Sequence, residues 1–140
     1  MASIDPAPLD HGLAQVGDRW TLLIVEALLD GAKRYSDLAD AVDGIAPNIL
    51  AARLRKLKQN GLVVATPYSD RPRRLSYELT ADGKDLAGAL ALLTAWAARL
   101  AGHDTTGYHT TCGTALQTRP WCPTCERCLE PGEADDLDRL

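Results

Sequence analysis

Ser36-Asp37-Leu38-Ala39-Asp40-Ala41-Val42, then Asp43-Gly44, then Pro47-Asn48-Ile49-Leu50-Ala51-Ala52-Arg53-Leu54-Arg55-Lys56-Leu57-Lys58-Gln59-Asn60-Gly61 form two helical segments around a turn. In the first, Asp37 to Val42, Leu38, Ala41 and Val42 point inward and Ser36 is placed to cap. Asp43-Gly44 is a turn dipeptide. Pro47 suits the first turn of the second segment, where its missing N–H costs nothing. Leu50, Leu54 and Leu57 recur at i, i+4 and i+7, and Asn60-Gly61 stops the run. The opposite face carries Asn48, Ala52, Arg55 and Gln59, with Arg53 and Lys56 on its flanks. Leu62 to Tyr68 then has strand character, Ser69-Asp70-Arg71-Pro72 is a hairpin tip, and Arg73 to Leu79 returns. This order predicts a winged helix-turn-helix, mainly α with a small β wing, of the kind that sets one helix in the DNA major groove.

The flanks support that architecture. Residues 1–8, with Pro6 and Pro8, are expected to be a flexible arm, followed by a helix from Leu9 to Val16 that Gly17 stops. A helix from about Arg19 to Leu29 places Trp20, Leu23, Ile24, Ala27 and Leu28 on one stripe. Ala32 to Tyr35 has room for a strand stub, the third strand of the wing sheet. Thr80 opens a long helix, Ala81 to Ala101, with Leu86, Leu90, Leu93, Trp96, Ala97 and Leu100 in helical spacing. That stripe exceeds what so small a core covers from one side, so part of it is expected to meet a second subunit. The expected organisation is an arm (1–8), a winged-helix and dimerisation domain (9–102), a Cys-rich metal-binding appendage (103–131) and an acidic disordered tail (132–140).

The chain has 140 residues, 46% of them hydrophobic, and lacks phenylalanine. That suits one helix-rich domain with a small appendage. No segment approaches the roughly 20 apolar residues of a membrane span. Met1 to Asp10 shows no basic and apolar leader pattern, so a cytoplasmic setting is expected. The formal charge is −4, yet Ala46 to Lys84 holds eight basic and three acidic residues, a local +5 against −9 elsewhere. Polyanion binding responds to the local field, so one positive face on an acidic body favours double-stranded DNA.

On that interface, Asn48 has the geometry to pair with adenine and Arg53 or Arg55 with guanine, each worth about 1–3 kcal/mol of discrimination. Lys56 flanks them. Arg71, Arg73 and Arg74 would meet phosphates or the minor groove, and Ser36 is either a phosphate donor or a plain helix cap. Trp20 fits a core anchor, and Trp96 fits core or subunit interface better than the wall of an effector pocket.

The C-terminal region reads His109-x2-Cys112-x9-Cys122-x2-Cys125-x2-Cys128. Two pairs at the same spacing make a tetrahedral set of three sulfurs and one nitrogen, which suits structural zinc. Cys128 is a fifth candidate, either replacing His109 or remaining a free thiol. A redox-active zinc or disulfide is the second reading, and an iron–sulfur cluster the third. Catalysis is not expected. A reactive Cys-x-x-Cys needs a βαβ scaffold absent around it, and no nucleophile triad, carboxylate pair or phosphate loop is visible.

Further motifs complete a series: Gly17-Asp18-Arg19-Trp20-Thr21, Arg34-Tyr35-Ser36-Asp37-Leu38, Leu50 to Leu57, Asn60-Gly61-Leu62-Val63, Pro72, and Tyr77-Glu78-Leu79-Thr80-Ala81-Asp82-Gly83-Lys84. Over residues 9–101 the chain resembles the HxlR-type regulators, a branch of the MarR-like winged-helix transcription factors. The resemblance implies a homodimer built from the N- and C-terminal helices on a palindromic promoter operator, with repression the expected effect. It also implies a response to electrophiles, quinones, aldehydes or other small molecules. Several redox-sensing members carry a cysteine in the first helix, and Ala7 to Val16 has none, so that thiol switch does not carry over. Some relatives end in a similar ribbon, with His and Cys two residues apart, then Gly, then Cys-x-x-Cys. Gly113 follows Cys112 here. A winged helix that binds protein is the lesser alternative on fold grounds.

Overall fold

A computed structural model describes residues 7–103, 107–117, 119–130 and 132–133. In chain order the elements are α1 (Pro8–Val16), α2 (Arg19–Leu29), β1 (Lys33–Arg34), α3 (Tyr35–Ala41), α4 (Pro47–Gln59), β2 (Val63–Asp70) and β3 (Arg73–Leu79). Then come α5 (Ala81–Lys84), α6 (Ala87–Leu100), β4 (Trp121–Cys122) and β5 (Arg127–Cys128). The residues divide into two compact units at Thr94/Ala95.

The first unit is organised by leucines. Ile24, Val25 and Leu28 of α2, Leu38 of α3, and Leu50, Leu54 and Leu57 of α4 are buried almost completely, joined by Val63 and Leu79 of the sheet. Each such side chain contributes roughly 1.5–3 kcal/mol on leaving water. Trp20 packs against this cluster as a core anchor. The sheet is antiparallel in the order β1-β3-β2, so the two-residue stub is indeed its third strand. Lys33 faces Tyr77 and Val63 faces Leu79.

Local chemistry explains the α2 start. The Asp18 carboxylate accepts hydrogen bonds from the Thr21 backbone N–H and from the fully buried Thr21 hydroxyl. Gly17 ends α1 so closely that a Cβ there would collide with the Leu13 carbonyl oxygen.

Three boundaries differ from the sequence expectation. First, α3 begins at Tyr35, with Arg34 as its N-cap residue, so Ser36 lies in the first turn rather than capping it. Asp37 reaches back to accept the Arg34 backbone N–H at 3.1 Å. The Tyr35 hydroxyl donates to the Pro47 carbonyl at 2.7 Å, tying the starts of the two helices together.

Second, β2 continues to Asp70, leaving a two-residue tip of Arg71 and cis-Pro72. A register shift between Pro67 and Ser69 bulges Tyr68 out of the ladder. Pro67 lacks the N–H that a regular ladder requires, which is where bulges arise.

Third, the long helix is broken into α5 and α6. Thr80 Oγ1 donates to the Gly61 carbonyl and accepts the Gly83 N–H. Gly83 thereby lies against the Leu62 carbonyl, where no side chain fits, and the Leu86 N–H bonds to Gly83 three residues back. Along α6 only Leu90 is buried, while Leu92, Leu93, Trp96 and Leu100 are exposed.

The second unit contains a turn closed by the Tyr108–Ala115 bridge and the β4–β5 hairpin. None of its described residues from Gly107 onward is buried. Of the expected arm only Ala7 and Pro8, and of the acidic tail only Gly132 and Glu133, lie within the described residues, and Pro8 already belongs to α1. No described helix is long and apolar enough to cross a membrane.

Candidate nucleic-acid interface

The leucine stripe of α4 faces the core, which turns Asn48, Arg55, Lys58 and Gln59 outward as an exposed row. Asn48 and Arg55 have no hydrogen bond or ion pair among the described residues, so their donors and acceptors face solvent. Two other basic residues of α4 behave differently. Arg53 Nε donates to Asp18 Oδ1 at 2.9 Å, and both side chains are about one-third exposed (32% and 33%). Lys56 Nζ donates to the Ala14 carbonyl at 3.0 Å, near the C-terminal end of α1, where a cation complements the helix dipole. Arg53 and Lys56 therefore brace α4 against α2 and α1.

The brace shows in the Asp18 acidity. Partial burial raises its carboxyl, but the Thr21 hydroxyl, the Thr21 N–H and the Arg53 guanidinium together outweigh that and hold it below its ordinary value.

Beside α4, the start of α3 and the wing enclose an open groove of about 480 Å³ lined by Tyr35, Ser36, Tyr68, Arg73, Arg74 and Tyr77, together with Leu75. Ser36, Arg73 and Arg74, chosen separately from sequence, thus share one surface. Arg71 is exposed at the tip. Sequence reasoning missed Arg34, Tyr68 and Tyr77. The Arg34 guanidinium lies 4.8 Å from the Tyr68 ring centroid, a cation–π contact that exists because the bulge re-aims Tyr68. The Pro67 bulge signal was present; the 34-residue separation of the pair hid the contact. Tyr77, half-buried in the same groove, has its phenol pushed up by burial and then by the neighbouring Tyr35.

The C-terminal candidates form two pairs. His109 Nδ1 lies 3.1 Å from Cys112 Sγ, and the Thr114 hydroxyl lies 3.2 Å from the same sulfur. Those two contacts, Thr114 first, pull the Cys112 thiol down to about 7. Cys122 is lowered by the backbone and thiol of Cys125. All four cysteines are free thiols, and among the described residues no three His, Cys, Asp or Glu side chains gather around one point. Cys128 sits on β5 opposite Trp121.

Residues 15–105 match the sequence model of the family described as HxlR-like helix-turn-helix. The uncharacterized HTH-type transcriptional regulator Rv3095 of Mycobacterium tuberculosis is 38% identical over 119 residues, covering 82% of this chain and 75% of that relative. Among solved structures, ytcD, described as an HTH-type transcriptional regulator, superposes with a TM-score of 0.65 at 30% identity, covering 70% of this chain and all of the other. The oxidized form of the redox regulator HypR superposes with a TM-score of 0.61 at 25% identity, covering 66% of this chain and 95% of the other.

Proposed function

This chain belongs to the HxlR-like helix-turn-helix family of DNA-binding transcriptional regulators, and we propose that it works as a homodimeric repressor on a palindromic promoter operator in the cytoplasm. The observation that carries this reading is the division of labour on α4. Arg53 and Lys56 are engaged with the body, whereas Asn48 and Arg55 are exposed on the outer face of α4. A helix braced from behind and polar in front is a rigid reading head for base edges. Arg71, Arg73, Arg74 and Ser36 hold phosphates alongside it, and the salt-dependent share of affinity comes from the arginines.

Dimerisation follows from what the chain leaves uncovered. Leu9 and Leu13 of α1 and Leu93, Trp96 and Leu100 of α6 are about half to two-thirds exposed (47–70%). Apolar rows of this kind call for a partner surface, and a two-fold axis through a second copy supplies the same rows in return. Two-fold symmetry then turns one reading helix into two, matched by a palindrome. The signal that releases the operator acts outside α3, α4 and the wing, whose groups are engaged with DNA in this scheme.

The test combines sedimentation with operator binding. Wild type sediments as a dimer, and the double variant Leu93→Asp/Trp96→Asp sediments as a folded monomer with operator affinity lowered by about 100-fold or more. A wild-type monomer that protects a palindrome as fully as expected of the dimer overturns the proposal.

A further inference from the structure

We infer that the appendage after α6 is a zinc site in its own right, in which His109 and Cys112 of one turn and Cys122 and Cys125 of the other hold a single Zn(II), with Cys128 outside the set. The two turns are built alike. In the first, the His109 N–H donates to the Thr114 carbonyl and the Gly113 N–H to the His109 carbonyl, both at 2.8 Å. In the second, Cys122 and Cys125 bracket Pro123-Thr124 at the end of the β4–β5 hairpin. In both turns the residue after the second ligand is left-handed: Gly113 at φ 68° and Glu126 at φ 51°. Glu126 is the one non-glycine residue with positive φ among those described, so this turn holds a conformation its sequence does not favour.

Within each pair the donor atoms already converge. His109 Nδ1 and Cys112 Sγ are 3.1 Å apart, and the Cys122 and Cys125 thiols are in hydrogen-bond contact. Tetrahedral zinc with Zn–S near 2.3 Å and Zn–N near 2.0–2.1 Å sets neighbouring donors about 3.5 Å apart, so each turn presents one edge of the tetrahedron. Among the described residues the two edges do not share a point, and one metal ion would join them. Zinc displaces the thiol protons to solvent and supplies the missing link.

A second reason is the lack of any other staple. Tyr108, Leu116 and Trp121 are more than half exposed, no described residue from Gly107 onward is buried, and no disulfide is present. A segment this small needs a cross-link or metal in place of a core.

The hairpin register decides among the five candidates. Cys122 faces Arg127 across the ladder and Trp121 faces Cys128. Directly opposed residues share a face and successive residues alternate, so Cys128 projects from the opposite face to Cys122.

The experiment is metal analysis and native mass spectrometry of the full chain, purified anaerobically without chelator. One zinc per chain is expected, and Co(II) exchange should give the intense visible bands of a tetrahedral thiolate site. Cys128→Ala should keep the full complement, whereas His109→Ala and Cys125→Ser should lose it while retaining the helical circular dichroism of the winged body. Should either ligand variant fail to fold, chelation of wild type and retitration with zinc gives the same stoichiometry directly. A metal-free chain, a brown iron-bearing chain, or loss of zinc in Cys128→Ala would each overturn the assignment. None of these outcomes bears on operator binding, so the proposed function stands or falls separately.

Discussion

Arg53 and Arg55 lie two residues apart on one helix, Arg53 paired with Asp18 and Arg55 exposed, and the proposed function gives them opposite duties. Replacing each by alanine separates those duties. Arg53 Nε lies 2.9 Å from Asp18 Oδ1, and the pair is two-thirds buried. A charge-assisted hydrogen bond so placed, discounted for its partial exposure, is worth about 1–2 kcal/mol. For a domain of this size that lowers Tm by roughly 5–15 °C. Arg55 is exposed with no partner among the described residues, so Arg55→Ala should shift stability by no more than about 0.5 kcal/mol. DNA binding should show the reverse. Arg55→Ala should lose about 1–3 kcal/mol of preference for its guanine, roughly 5- to 150-fold. Arg53→Ala, measured below its own Tm, should keep the wild-type ratio of cognate to mismatched affinity. Thermal unfolding and fluorescence anisotropy on single-base operator variants read both quantities. An Arg53→Ala protein with wild-type Tm and relaxed base preference would instead place Arg53 on the DNA and not on Asp18.

Two further outcomes are expected. Arg73→Ala should weaken binding to all duplexes alike and reduce the slope of log affinity against log salt by about one unit; a change confined to the cognate site would place Arg73 on a base instead. Asp18→Asn retains a good helix cap but removes the charge that Arg53 meets, so wild type should exceed it in stability above the ordinary carboxyl value near 3.8. Because the folded value is lowered, this advantage is full above that pH and is lost as pH falls through the lower folded value. Unfolding curves from neutral pH into acid show the sign, and an advantage that grows on acidification contradicts it.

Helix α4 and its core face were legible because Leu50, Leu54 and Leu57 repeat at helical spacing over a long segment, and periodicity is the strongest local signal. The wing was legible from its arginine-bearing turn between two strand-like runs. The bounds of α3 were not, because Arg34 caps that helix through backbone geometry, and Ser36 offered a chemically better cap two residues too late. The break after Lys84 was hidden for a related reason: it depends on Gly83 meeting the Leu62 carbonyl, a contact between segments about 20 residues apart. The duties of Arg53 and Lys56 were equally out of reach, since Asp18 and Ala14 are 35 and 42 residues distant. Spacing alone proposed all five sulfur and nitrogen ligands, but the strand register that sets Cys128 apart exists only once β4 and β5 are paired.

In the proposed function a dimer reads a palindrome through two copies of α4. Footprinting on promoter DNA, followed by anisotropy titration of the protected duplex and a scrambled duplex of equal length at the same salt, tests it most directly. One dimer per duplex and a two-fold symmetric footprint are expected, with two contacted half-sites about one helical turn apart. Affinity for the protected duplex should be at least about 1,000-fold tighter than for the scrambled one. Equal affinity for the two duplexes, or protection of a single asymmetric half-site by one chain, would contradict it.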